Sequence, residues 1–177
     1  MKNILKLIRP HHWAKNMFIF MPVFFGGALT DMTALRNSVI AFFAYSFAAS
    51  SIYCYNDIVD LDDDRRHPEK SKRPIASGAV SVAMAYYLMA AMVLLSAVKV
   101  ALLGDNCRML ALVVVGYYIL DLFYCRLLKR FAVVDVFVLA FGFVLRILAG
   151  SAATGIVASH WLVMMTFLLT LLLSFAK

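Results

Sequence analysis

The chain has 177 residues, 64% apolar and 15% charged, with a formal net charge of +7 and a mean hydropathy of +0.86. A soluble domain of this length has too little interior to hide so much apolar surface, and the continuous apolar runs exclude the alternating strands of a β-barrel. No basic region interleaved with aromatic residues is present, so nucleic acid is excluded as a partner and the lipid bilayer is the expected surrounding.

The chain opens with MKNILKLIRPHHWAKN, which is basic and has no small-residue cleavage site after a short apolar core. It is expected to be retained. Hydropathy then predicts six membrane helices, near residues 13–29, 36–58, 79–103, 107–125, 132–153 and 158–176. Pro22, Gly26 and Gly27 interrupt the first, which is expected to tilt or kink. The fold expected is one all-α membrane domain over residues 1–177. Cys54, Cys107 and Cys125 share no metal-type spacing and read as small packing residues.

Alternate connections differ in charge. One side receives Lys2, Lys6, Arg9 and Lys15, then Arg65, Arg66, Lys70, Lys72 and Arg73, then Arg126, Lys129 and Arg130, and finally Lys177. The other receives only Arg36, Lys99 and Arg108, while Arg146 falls inside a predicted span. By the positive-inside rule the first set, with the N-terminus and both charged loops, faces the cytoplasm.

The stretch NDIVDLDDDRRHPEKSKRPIASG, residues 56–78, holds six of the ten acidic side chains. Asn56, Asp60 and Asp64 are spaced i, i+4, i+8 and form one stripe on a helix, which Asp57 can join. Carboxylates this close repel unless a cation stands between them. Hard oxygen ligands suit Mg²⁺, which takes one or two carboxylates and completes its shell with water and phosphate. Lys70, Lys72 and Arg73 follow at once and suit phosphate oxygens. The plainer reading, a solvated loop that fixes topology, accounts for the Lys and Arg residues but not for five aspartates on the cytoplasmic side.

The same stretch resembles the first aspartate-rich motif of the UbiA superfamily of intramembrane prenyltransferases, N-D-x-x-D-x-x-x-D followed by a K-x-R-P-I-x-x-G tail. YCRLLKR, residues 124–130, resembles the family's second cytoplasmic segment, with Tyr124, Lys129 and Arg130 at its key positions. RPHHWAKN, residues 9–16, and VVDVFVLAFGFVLRILAG, residues 133–150, resemble the decaprenyl-phosphate phosphoribosyltransferase group within that superfamily, including Asp135 at the start of the fifth helix and Arg146 near its middle. The resemblance implies a nine-helix bundle around one cavity, with a second aspartate motif after the sixth helix. This chain ends at SFAK with no such motif, so it is expected to be the N-terminal two-thirds of that bundle, incomplete at the C-terminus.

What the resemblance implies for chemistry is a Mg²⁺-dependent transferase in the cytoplasmic membrane of a bacterium. Asn56, Asp57, Asp60 and Asp64 would hold the metal, and Asp57, Asp60, Asp64 and Lys129 would act in catalysis. Lys70, Lys72, Arg73, Lys129 and Arg130 would bind the diphosphate, Tyr124 would position a phosphate or the donor, and Asp135 would lie at the substrate. Lys15 is either a phosphate ligand or an interfacial side chain reaching for water. Arg146 either meets a phosphate or forms a structural ion pair with Asp135 or Asp121, since a charge at mid-membrane needs a partner. His11 and His12 read as interfacial and His160 as incidental. The favoured reaction moves a phosphoribosyl group from phosphoribosyl diphosphate to a polyprenyl phosphate. The alternatives are a prenyltransferase using a polyprenyl diphosphate and an aromatic acceptor, and a non-catalytic fragment, partner subunit or cation transporter.

Overall fold

The computed structural model describes residues 2–176; Met1, Lys177 and the side chains of Arg130 and Ala132 lie outside the described part. Eight α-helices follow one another: α1 (Lys2–Ile8), α2 (Met21–Phe25), α3 (Met32–Val59), α4 (Leu61–Arg66), α5 (Val82–Ala101), α6 (Cys107–Arg126), α7 (Ala132–Thr154) and α8 (His160–Phe175). Helices α3, α5, α6 and α7 are long and apolar enough to cross a membrane, and α8 is a shorter apolar helix. Their ends agree with the hydropathy segments to within a few residues.

The first expected span differs. Residues Pro10–Phe20 form a 3₁₀ helix, and only Met21–Phe25 are α-helical. Pro22 carries no N–H to close an α-helical turn, and the Met21 N–H instead reaches back three residues to the Phe18 carbonyl. A 3₁₀ helix rises about 2.0 Å per residue against about 1.5 Å for an α-helix, so the two pieces together extend for roughly the ~30 Å of a hydrocarbon layer.

Helix α3 is the axis of the bundle. Asp31 caps it by accepting from the N–H groups of Thr33 and Ala34, at 2.8 and 3.1 Å. Its sequence AFFAYSFAASSIYC buries Ala41, Ala44, Ser46, Ala48, Ala49, Ser50 and Ser51, and these small residues let other backbones come close. Ser96 of α5 donates to the Ala44 carbonyl at 2.8 Å, satisfying a hydroxyl that lipid could not. On α7, Gly150 lies against the Ile19 backbone, and a Cβ there would strike the Ile19 carbonyl oxygen. The N-terminal segment therefore threads between α3 and α7. At the opposite end, Asn106 donates to the Ala153 carbonyl at 2.9 Å, and Gly155, with φ +75°, closes α7 in the left-handed region. The outward faces of α5, α6 and α8 carry exposed Leu94, Leu112 and Leu172, the surface expected of helices in lipid.

Candidate active site

The polar end of the bundle begins where α3 stops. Asp60 ends α3 and starts α4, yet the backbone bonds Asp60 N–H to Asn56 O (2.9 Å) and Asp64 N–H to Asp60 O (2.8 Å) carry the helical register across the junction. Pro68 lies just beyond, and α4 ends before it. The stretch from Lys70 to Gly78 then folds back over α3 and α4, with Ile75 and Val80 buried beneath it together with Leu7 and Cys54.

This folding gathers a charged layer. The Arg73 guanidinium donates to Asp64 at 2.7 Å and lies 3.4 Å from Asp57. Arg9 donates to the same Asp57 oxygen at 2.6 Å, with its guanidinium carbon 5.3 Å from the centre of the Tyr53 ring. Arg9 has φ 48° and ψ 59°, unusual for a residue with a side chain. Pro10 disfavours another right-handed turn there, and the Asp57 and Tyr53 contacts hold the resulting conformation. From the loop after α6, Lys129 donates to Asp60.

Beneath this layer lies a cavity of about 350 Å³ reaching into the helices. Its walls carry six cationic side chains, Arg9, Lys15, Lys70, Arg73, Lys129 and Arg146, against two carboxylates, Asp60 and Asp121. Asn56, His12, Tyr53, Tyr117 and Tyr124 add to the polar lining, and Ile52, Leu120, Val138, Leu139 and Phe143 belong to the apolar part. An excess of cations in a cavity with low-dielectric walls favours a polyanion with an apolar tail. A second pocket of about 430 Å³ adjoins it on the outer side of Asp60, bordered by Asp63, Asp64, His67, Lys70 and Lys129.

Arg146 is 6% exposed in the middle of α7. Its Nε donates to Asn16 Oδ1 at 2.8 Å and its Nη1 to the Gly142 carbonyl at 2.6 Å. The rings of Tyr45, Tyr117 and Phe143 surround its guanidinium carbon at 5.2 to 5.6 Å. Among the described residues no carboxylate lies within ion-pair distance of it, which corrects the structural pairing with Asp135 or Asp121 that the sequence left open. Asn16 is itself fixed by donating to Ser46 at 2.8 Å.

Several expected site residues lie elsewhere. Asp57 does not line the cavity; its side chain is buried against Arg9 and Arg73 behind the wall. Lys72 points away from the cavity and pairs with exposed Glu69 at 3.3 Å. Asp135 accepts a hydrogen bond from the Tyr124 hydroxyl at 2.6 Å, which orients Tyr124, and Asp135 is not part of the cavity wall. The side chain of Arg130 lies outside the described residues.

Among the described residues no three acidic, His or Cys side chains converge as a metal site by themselves. That donor set nonetheless fits Mg²⁺. Asn56 and Asp60 open onto the cavity, Asp60 and Asp64 onto the adjoining pocket, and Mg²⁺ uses few protein ligands when phosphates supply the rest.

Arg9, Asn16, Tyr53, Tyr117 and Asp121 are cavity residues or their supports that were not assigned from sequence, and His12, read as interfacial, also lines the cavity. The first two were visible as members of RPHHWAKN. Trp13 of the same motif is also fixed on the bundle, its Nε1 donating to Ser50 at 3.0 Å and Ser50 in turn donating to the Ile8 carbonyl at 2.9 Å.

The pattern of the UbiA prenyltransferase family matches residues 19–177. The chain belongs to this family. Among similar curated proteins are decaprenyl-phosphate phosphoribosyltransferases of Corynebacterium glutamicum and Mycobacterium tuberculosis. The first is 37% identical over 161 residues, 90% of this chain and 48% of that protein. The second is 37% identical over 170 residues, 93% of this chain and 55% of that protein. This UbiA-family chain therefore spans about half the length of these relatives. Among solved structures, a UbiA homologue from Archaeoglobus fulgidus bound to GPP and Mg²⁺ superposes with a TM-score of 0.76 at 25% identity, over 96% of this chain and 60% of that one.

Proposed function

We propose that this chain carries the donor-binding part of a Mg²⁺-dependent transferase that moves a phosphoribosyl group from phosphoribosyl diphosphate to a polyprenyl phosphate lipid. The observation that carries this reading is the cavity's composition. Arg73, Lys70 and Lys129 stand beside the charged layer, while Arg146 is buried in the middle of α7. A substrate with phosphate at both ends of a short polar body matches that separation of charge.

In this reading Asn56 and Asp60, with Asp64 at the rim, would hold Mg²⁺, which would supply positive charge to offset that on the diphosphate. Arg73, Lys70 and Lys129 donate hydrogen bonds to the diphosphate oxygens, and these strengthen as charge grows on the leaving group. The bond between C1 of the ribose and the diphosphate oxygen breaks with its electron pair leaving on oxygen. A phosphate oxygen of the lipid then bonds to C1. Leu120, Val138, Leu139 and Phe143 exclude water, which would otherwise take the lipid's place. The polar loops are cytoplasmic in this assignment, in keeping with the charge bias of the connections.

A second reading, transfer of a prenyl group from its diphosphate to an aromatic acceptor, is favoured by the structural likeness to a GPP-bound homologue. The test is binding of phosphoribosyl diphosphate and of GPP to the purified chain in detergent, with Mg²⁺ or chelator. Preference for the sugar diphosphate, lost with chelator and in Asp60→Asn, is the expected result. Preference for GPP selects the second reading.

A further inference from the structure

Asp121 has no part in the chemistry above, yet it sits on the cavity wall in the span of α6 that reads YYILDLFY. A carboxylate is a costly group to keep within a membrane helix, and such a residue normally faces a partner or a polar path. Arg146 acts on Asp121 electrostatically, from beyond ion-pair distance. Its carboxylate takes a hydrogen bond from the Tyr117 hydroxyl, yet its Oδ2 is enclosed without any hydrogen-bond donor. The carboxyl torsion of Asp is shallow, so either oxygen can turn into the cavity. An ionised carboxylate only accepts hydrogen bonds, so whatever completes this site must bring donors.

The same cavity holds Arg146, a group that only donates and whose protein bonds are to the neutral oxygens of Asn16 and Gly142. One wall thus carries a carboxylate oxygen without a donor, and another carries a guanidinium hydrogen-bonded to neutral oxygens. A prenyl diphosphate offers phosphate for the second but no hydroxyl for the first. A phosphorylated sugar offers both.

We infer that Asp121 is a specificity-determining residue that reads the hydroxyl groups of a pentose phosphate while Arg146 takes its phosphate. This deepens the phosphoribosyl reading proposed above and rests on it. A site built to bond a hydroxyl also discriminates strongly against an analogue lacking it, because the buried carboxylate is then left unpaired.

The test compares ribose 5-phosphate with 2-deoxyribose 5-phosphate, neither of which carries the diphosphate, in binding to the purified chain in detergent. The wild-type chain should favour ribose 5-phosphate about 10- to 100-fold, the range expected of a hydrogen bond to a charged group. Asp121→Ala should bring the two sugars to within about twofold of each other. Asp121→Asn keeps the shape of the side chain and one accepting oxygen, and should leave an intermediate preference. The ratio, not the affinity, is the readout, because a purely structural role for Asp121 would weaken both sugars alike. An unchanged ratio in both variants overturns the assignment of Asp121 while leaving the donor reading in place. A ratio that vanishes with chelator puts a cation between carboxylate and sugar, and overturns direct contact. Binding of neither sugar phosphate alongside binding of GPP overturns the donor reading and this inference together.

Discussion

Asn16 is the most informative single position for checking how the cavity is held. It is 1% exposed and joins two walls, donating to Ser46 of α3 and accepting from Arg146 of α7, both at 2.8 Å. Replacing it by Ala leaves the buried Arg146 Nε without an acceptor, at a cost of about 1.5–3 kcal/mol for a hydrogen bond to a charged group. Loss of the Ser46 bond adds about 1 kcal/mol. For a chain of this size each kcal/mol lowers the melting temperature by about 2–4 °C, so Asn16→Ala should melt roughly 5–15 °C below wild type in the same detergent. Asn16→Asp has a different outcome. It places a carboxylate beside the guanidinium, so the wall is held and most of the stability returns. The charge on Arg146 is then compensated from within, and affinity for phosphoribosyl diphosphate should fall about tenfold or more. Thermal unfolding followed by far-UV circular dichroism gives the first number and equilibrium binding the second. An Asn16→Ala variant melting within 2 °C of wild type, or an Asn16→Asp variant with unchanged phosphate affinity, would refute this account of the inner wall.

The remaining expectations concern the charged layer and one backbone crossing. Asp57→Asn should lower stability by about 3 kcal/mol, since it removes the carboxylate that Arg9 and Arg73 share, and should weaken donor binding while leaving the Mg²⁺ concentration needed for half-maximal binding unchanged. A raised Mg²⁺ requirement would instead make Asp57 a metal ligand. Lys72→Ala should change neither stability, beyond about 0.5 kcal/mol, nor donor affinity, because its partner Glu69 is as exposed as it is. Gly150→Ala should destabilise by about 1–3 kcal/mol or more through collision with the Ile19 carbonyl, whereas Gly116→Ala, with open space around it, should be tolerated; equal melting temperatures for the two would contradict the close crossing.

Most of the membrane helices were legible from hydropathy alone, because the free energy of placing a residue in lipid is local and nearly additive along the chain. Helices α3, α5, α6, α7 and α8 each lie where an apolar run predicted one. The first span was read as a helix and is mainly a 3₁₀ segment, since apolarity reports where a segment lies and not how its carbonyls are paired. Helix α1 carries two lysines in seven residues and was not recognised, because Leu7 is its one buried side chain.

For the site, sequence spacing determined that Asn56, Asp60 and Asp64 lie on one stripe, and the backbone bonds across Asp60 preserve that periodicity. Spacing also admitted Asp57, which is about 60° round the helix from Asp60, too small a difference for the pattern to exclude it. Tertiary structure decided its neighbours. Arg9, 48 residues away, occupies it together with Arg73, while Lys129, 69 residues away, reaches Asp60 instead. Arg146 shows the same division. The cost of a charge in an apolar helix told the sequence that a partner must exist, but the partner is Asn16, 130 residues distant and neutral. Hydropathy and helical period are properties of neighbouring residues and survive in the sequence. Which charge meets which depends on how remote segments cross, and here that follows from the bare backbone of Gly150 and the Ser and Ala face of α3, which let the N-terminal segment lie between α3 and α7.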